Sequence, residues 1–416
     1  MTGGRLRKMY YGQWGVNVLN FNKSRIMNFF TKHLFCLSLI FILIPFNAFS
    51  AHTDLIEVVY VSQEQFRKPA LSNLDTIPKD DGLQGALLAI QDNNTTGKFT
   101  GHNFVLIEKK WPESSVSDAD IHTFIENKSL LVAALDDNAL ARIKPLAAAQ
   151  SALIMDVVSR ADSFRQQGCG DHLFHIAPSR AMRADALAQY LLKKRWRRWF
   201  LVLGPTDEDK LFAQALRRAA KRFGSTIVTE KTWVHDYDAR RTAQGEVPVF
   251  TQGVDYDVLV VADEQGLFGE YLSYRTWKPR PVIGTQGLVP TAWHRTHEQW
   301  GAVQIQNRFK AQSGRRMTEK DYAAYLAIRS YGEAIIRTGS GDPEQIKAYL
   351  LGDQFTLQGY KGKPLSFRSW NGQLRQPVLL AAARSMVATA PIAGFLHPVT
   401  ELDTLGYDHR ETQCDE

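Results

Sequence analysis

The chain has 416 residues, with 50 Lys and Arg against 43 Asp and Glu, a formal net charge of +7. Six of the basic residues and none of the acidic ones fall within residues 1–50, so the remainder carries 44 basic against 43 acidic groups. That balance excludes a partner recruited by bulk positive charge, nucleic acid above all, and the length left over exceeds one ordinary core and suits two.

Residues 33–46 (HLFCLSLIFILIPF) are almost wholly apolar, preceded by Lys23, Arg25 and Lys32 and followed by small residues up to Ala51. This is the anatomy of a secretory leader with cleavage after Ser50, and Met27 offers an alternative start. The other reading is a membrane anchor, but the run is shorter than the roughly 20 residues a spanning helix needs. We set residues 1–50 aside as a signal peptide. Outside them stand Cys169 and Cys414, an even pair that can form a disulfide in an exported chain or remain two thiols.

Beyond the leader, strand-like and helix-like stretches alternate. Leu55–Val61 reads as a strand. Lys79–Asp92 reads as a helix capped by Asp80 or Asp81, with Leu83, Leu87 and Ile90 at helical spacing. Asn103–Glu108, Leu130–Leu135 and Ala152–Val158 follow as strands, separated by helices over Asp118–Asn127 and Asn138–Ala149. Such a rhythm with short connections predicts a parallel sheet covered on both faces. After a break at Gly168–Gly170 and Pro178 the rhythm resumes. Helices are expected over Ala181–Lys193 and Asp207–Phe223, the latter stopped by Gly224. Strands are expected over Arg198–Leu203, Ser225–Thr229, Asp257–Ala262 and from Pro281 to Ile283. Two units of similar size imply two lobes. A long helix over Thr318–Thr338 and a short one over Pro343–Leu351 come next, and Trp370-Asn371-Gly372 is placed as a hairpin turn between Pro364–Phe367 and Gln376–Ala382.

By this point the chain resembles the type I periplasmic binding proteins, in particular the leucine and branched-chain amino-acid group. The stretch Leu173–Pro178 (LFHIAP) is similar to that group's crossover between lobes. Three strings, DDGLQGALLAIQDNNTTGKF (80–99), GTQGLVPTAWHRTHEQWGAVQIQNRF (284–309) and SFRSWNGQLRQPVLLA (366–381), resemble the ABC-transporter substrate-binding proteins of quinone-cofactor (PQQ) dependent alcohol dehydrogenase systems. The resemblance implies an α/β, two-lobed fold, each lobe a mainly parallel sheet flanked by helices, joined by hinge crossovers. It divides the chain into a first lobe (51–175), a second lobe (176–284), a return to the first (285–350), a return to the second (351–395) and a tail (396–416). It implies a periplasmic receptor that closes on a small molecule, works as a monomer with an inner-membrane ABC permease, holds no cofactor and catalyses nothing. A sensory module presenting its ligand to a signalling partner is the alternative.

Ligands of open α/β sheets sit beyond the C-terminal ends of the strands. That rule selects Tyr60, Gln63, Asp136, Asp137, Asn138, Asp162, Ser163 and Arg165 in the first lobe, and Asp207, Asp263, Glu264 and Gln286 in the second. Each is also an ordinary turn residue. The chain departs from the leucine-type pattern, whose third strand leads into a Gly and Ser-rich loop that holds a carboxylate. Here Asp136 and Asp137 stand at that place and would repel an anion. Val158-Ser159-Arg160-Ala161-Asp162 replaces the hydroxyl-rich string after the fourth strand. A neutral, alcohol-derived or cationic ligand is therefore expected in preference to a free α-amino acid. His294 and His297 have neither zinc-protease spacing nor a third ligand, and the D-x-D pairs Asp236/Asp238 and Asp255/Asp257 read as turns; no metal site is assigned, and a hard cation at Asp136-Asp137 stays a minor alternative ligand. The basic run Lys193–Arg198 reads as a helix end and a strand start.

Overall fold

The computed structural model describes residues 54–63, 78–111, 121, 125, 129–167, 169–170, 172–234 and 243–414. The leader, most of the expected helix over Asp118–Asn127 and the pair Asp236/Asp238 lie outside them. Thr53–Glu416 forms one compact unit, and within it two parallel sheets each carry apolar residues on both faces.

The first sheet has the order β2-β1-β3-β4-β5, with β1 Asp54–Gln63, β2 His102–Trp111, β3 Leu130–Ala134, β4 Leu153–Asp156 and β5 Leu173–His175, all parallel. Alternation along β1 sends Ile56, Val58 and Tyr60 to one core and Val59 and Val61 to the other. The second sheet, β7-β6-β8-β9, is built of β6 Arg198–Leu203, β7 Thr226–Thr232, β8 Val258–Ala262 and β9 Val282–Gly284. Trp199, Leu201 and Leu203 face one core, Phe200 and Val202 the other. Buried on both sides, β3 and β8 read as continuous apolar runs (LLVAA, VLVVA), as central parallel strands do.

Ten helices are described. On the first sheet pack α1 (Leu83–Thr100), α2 (Asp137–Ala149), α8 (Ala302–Ser313), α9 (Glu319–Thr338) and α10 (Pro343–Leu351); α3 (Ser163–Gln166) follows β4. With the second sheet go α4 (Arg180–Lys193), α5 (Asp207–Arg222), α6 (Ala243–Thr251) and α7 (Gly269–Leu272). A small sheet β11-β12-β13 (Leu357–Gln358, Pro364–Phe367, Leu374–Arg375) shares the core of the first lobe, through Leu365, Phe367 and Leu374. Another, β10-β14-β15 (Val289–Thr291, Val378–Ala382, Ser385–Ala390), shares that of the second through Val378 and Leu380. The chain thus passes between cores between β5 and α4, between β10 and α8, and between β13 and β14.

Two local expectations are corrected. Helix α1 starts at Leu83 and runs to Thr100, beyond Asp92, and neither Asp80 nor Asp81 caps it. Asp321 at the head of α9 takes the Gly82 N–H at 2.8 Å, while Asp80 pairs with Arg315 at 2.9 Å. The polar stretch after Asp92 stays helical because Asn93, fully buried, donates to the Ile328 carbonyl at 2.9 Å, and Gly332 leaves α9 without a Cβ where Asn93 lies. Tertiary contact overrides propensity here. Likewise, Gln376–Ala382 does not pair with Pro364–Phe367. The turn around Gly372 (φ +63°) joins β12 to β13, with Phe367 opposite Leu374. Pro377 lacks an N–H for the ladder, Gln376 is buried against the Lys361 ammonium at 2.7 Å, and β14 pairs in the other small sheet.

Among the described residues no helix is long and apolar enough to cross a membrane.

Candidate functional site

The C-terminal ends of both parallel sheets face one another across a cleft, and what meets there is a set of arginines and carboxylates. Arg160, just beyond β4, reaches Glu264 beyond β8 at 3.5 Å and Glu319 at the head of α9 at 3.4 Å. Arg180, on the first turn of α4, binds the other Glu264 oxygen through Nε at 2.8 Å and Nη2 at 2.6 Å. Arg183, one turn on, ion-pairs with Glu319 and donates to the Pro290 carbonyl at 2.8 Å. Ala292 gives Glu319 a backbone N–H at 2.5 Å. A cavity of about 250 Å³ lies against this set, bordered by Arg160, Glu264, Thr285, Gln286, Thr291 and Glu319.

Burial works against the Glu319 carboxylate, but Arg183 and Arg160 outweigh it and bring its pKa down to about 2. Burial also opposes the Arg160 charge, and Glu319 and Glu264 more than restore it. Arg183 is pushed below the ordinary arginine range by burial and by Arg160. Two arginines are locked and one is loose. The side chains of Arg180 and Arg183 are 6% and 5% exposed with at least one tight carboxylate contact each, whereas that of Arg160 is 36% exposed on two long bonds.

The sequence-selected residues divide. Glu264, Asp263 and Gln286 stand at the cleft. Asp263 points its carboxylate inward, where it takes the N–H groups of Leu267, Phe268 and Gly269 at 2.8, 2.9 and 2.6 Å and so shapes the loop. Asp137 receives the Ser159 hydroxyl at 2.5 Å and lies 3.9 Å from Arg180. Asp136 caps α2 by accepting from Ala139 at 2.8 Å and exchanges two 3.0 Å bonds with Gln63. Tyr60, its ring buried in the core, and Gln63 border a separate cavity of about 590 Å³ with Asp80, Asp81 and Lys320.

The rest serve elsewhere. Arg165 is buried and spends its donors on Gln373 at 2.5 Å and the Ala161, Ser159 and Ala177 carbonyls at 2.6, 2.9 and 3.1 Å, fastening the first crossover. Asp162 holds the start of α4 through the Ala181 N–H at 3.1 Å, and burial raises its pKa. Asn138 and Ser163 are exposed, and Asp207 is exposed beside Lys210 at 2.8 Å. Sequence reasoning missed Arg160, Arg180, Arg183 and Glu319 as cleft residues. The spacing offered a signal: Arg180 and Arg183 lie three apart on the helix and so share one face.

The hinge has its own buried charge. Lys361 Nζ donates to the Ala292 carbonyl at 3.0 Å, to Gln376 Oε1 at 2.7 Å and to the Pro377 carbonyl at 2.8 Å, stapling two crossovers. Burial brings its pKa down to about 7. Beside the first crossover, His175 shares a proton with Asp156 at 2.9 Å, and burial lowers the imidazole pKa to about 4.

The two histidines are engaged separately, His294 with the Thr296 hydroxyl at 2.7 Å. His297 bonds the Tyr360 carbonyl at 2.7 Å and packs edge-on to Trp293, which stacks on Tyr322 at 4.4 Å. Among the described residues no group of three or more His, Cys, Asp or Glu is placed to hold a metal. Trp300 is 66% exposed and packs by Gly362. The basic run ends α4 and begins β6, where Asp257 takes the Arg197 and Arg198 N–H groups at 2.9 Å and Asp255 pairs with Arg198.

No protein-family model matches the chain, and no curated protein does. Solved structures do. A branched-chain amino-acid ABC transporter periplasmic ligand-binding protein from Burkholderia xenovorans superposes with a TM-score of 0.64 at 17% identity, covering 80% of this chain and 95% of that one. An ABC transporter substrate-binding protein from Desulfitobacterium hafniense in complex with Leu gives 0.63 at 16%, covering 80% and 99%. One from Sphaerobacter thermophilus gives 0.66 at 14%, covering 85% and 100%. At these identities the likeness speaks for the fold, and the chain has the two-lobed, mixed α/β fold of the periplasmic binding proteins.

Proposed function

We propose that the chain is a periplasmic solute-binding protein of an ABC transport system, which takes a small molecule between its lobes by hinge closure and delivers it to a membrane permease. The observation that carries this reading is the cleft. Polar groups from both lobes converge on a cavity at the C-terminal ends of two sheets, and one of them, Arg160, touches a carboxylate of each lobe. A ligand that bridges the same groups binds the closed form better than the open one, which is all that closure requires.

The ligand is neutral or cationic rather than a free α-amino acid. The N-terminus of α2, a natural seat for a carboxylate, is already taken by Asp136 of the chain itself, and Asp137 stands beside it. Glu264 and Glu319 add two further carboxylates to the wall. An anion would have to settle among these acids and compete for arginines already committed to them. The three strings quoted above support placing this transport beside quinone-dependent alcohol oxidation.

Native mass spectrometry of the protein drawn from its own periplasm tests the reading. The expected result is a retained small molecule that is lost when the lobes are forced apart by mild denaturant. Tight binding of leucine in competition would overturn the ligand class while leaving the receptor role. Failure to retain or bind any small molecule, of whatever charge, would overturn the receptor role.

A further inference from the structure

The chain makes a fourth link between its lobes, behind the hinge and away from the cleft. After β15 it runs along the second lobe. Gln189 of α4 accepts the Ile392 N–H at 2.9 Å and donates to Thr404 at 3.0 Å. The Gly406 N–H goes to Asp185 at 2.9 Å, and its carbonyl takes Arg218 at 3.0 Å and Arg222 at 2.7 Å. Asp185 is itself buried under those two arginines, at 3.1 and 2.7 Å. The Arg218 guanidinium lies 3.9 Å over the Tyr407 ring.

The same segment also grips the first lobe. Asp403, fully buried, receives Arg368 at 2.8 Å and Arg375 at 2.9 Å, both from the β12–β13 hairpin. Arg368 donates again to the Leu405 carbonyl at 2.7 Å and to that of Tyr407 at 3.2 Å. The Gln413 N–H reaches the Gln166 carbonyl at 2.7 Å, and Cys414 is bonded to Cys169 with the Cα atoms 5.3 Å apart. Both anchors on this side lie next to the first and third crossovers. Asn371 donates to the Arg165 carbonyl at 3.1 Å, and Gln373 bonds the His175 and Ala177 carbonyls at 3.1 and 3.3 Å.

We propose that residues 400–414, closed by the Cys169–Cys414 bond, are a strap that limits how far the two lobes part. This rests on the hinge-closure reading and goes beyond it. Three crossovers can bend, because a few φ and ψ changes in a short linker swing a rigid body. A segment that is ion-paired to Arg368 and Arg375 of the first lobe through buried Asp403, and held to the second by the Gly406 amide and carbonyl and by Glu411 on Arg218 at 2.9 Å, cannot lengthen without stranding those first-lobe arginines or the Gly406 backbone groups, and the covalent bond prevents it from peeling off the first lobe from its free end. The pivot therefore stays near the strap and motion is confined to the mouth of the cleft. A disulfide across 245 residues also stabilises any fold by restricting the unfolded chain, so melting temperature alone does not distinguish the roles.

The test compares the periplasmic protein with Cys414→Ser and with the double variant Cys169→Ser/Cys414→Ser, which has no free thiol to dimerise, by small-angle scattering and hydrogen exchange without ligand. The expected result is a larger radius of gyration in both variants. Exchange at the cleft loops around Arg160 and Gln286 should be about tenfold faster, with β3 and β8 unchanged. If both variants keep the wild-type radius and cleft exchange and only melt earlier, the bond is a stabiliser of the fold and the strap is overturned. If the lobes open alike in all three proteins, the strap is overturned while the receptor reading stands. The absence of any bound small molecule would count against the receptor reading alone.

Discussion

The mouth of the cleft and the back of the hinge hold the same kinds of groups and use them in opposite ways. At the mouth, Arg160 spans the lobes on contacts of 3.5 and 3.4 Å and is open to water. At the back, Asp403 and Asp185 are each sealed from water beneath two arginines, with carbonyls taking up the remaining donors and a disulfide beyond. Exposed ion pairs contribute little and break easily, whereas losing one partner of a buried pair strands the other. The opening at one edge and pivoting at the other that we propose needs this asymmetry. The long Arg160 contacts can be exchanged for a ligand; the locked Arg183–Glu319 pair and the buried ones at the back cannot.

The largest expected effect breaks the back. Asp403→Ala leaves Arg368, itself 1% exposed, and Arg375 without their carboxylate. A loss of about 3–5 kcal/mol is expected in urea unfolding, and a loss below that range would mean water reaches the node. Acid should follow in size. The His175 pKa is held near 4 in the fold by burial, against 6.5 for the free group, so between those values the unfolded chain binds the extra proton. The His175 contribution should be level above pH 6.5 and should take stability away as the pH drops towards 4, by on the order of a few kcal/mol. Replacing His175 by Asn should flatten that part of the curve. Lys361 works in the alkaline range. Its folded pKa of about 7 lies below the ordinary 10.5, so stability should rise with pH between the two, and Lys361→Met should abolish the rise.

Sequence legibility tracked the same division between local and long-range order. Strands such as β3 and β8 could be read directly because a strand buried on both faces must be apolar throughout, and α5 announced its end by Gly224. What could not be read was set by residues more than two hundred positions apart. The start of α1 depends on Asp321, and its polar second half on Ile328. The site was half legible for the same reason. The rule about strand ends led to Glu264, Asp263 and Gln286, but it could not say that Arg165 would turn inward to the hinge carbonyls. Nor could it say that Arg180, Arg183 and Glu319, which follow no strand, would be brought to the cleft by the crossovers.

The smallest effects should come from the mouth, and they sharpen the contrast. Arg160→Gln removes a guanidinium whose side chain is 36% exposed and whose two carboxylates each keep a buried arginine, so the fold should lose less than about 1 kcal/mol. The same change severs the ion pair joining the loop after β4 to Glu264 and frees one oxygen of Glu264 and one of Glu319. Its effect should therefore be on binding: a cationic or hydroxylated probe, which can donate to those oxygens, should bind as well as before or better, while melting stays nearly constant. Asp207→Ala, on the outside of the second lobe beside Lys210, should change neither binding nor melting, although the same strand-end rule selected it. A large loss of stability in Arg160→Gln would mean that the mouth is as fixed as the back, and the asymmetry on which opening depends would be gone.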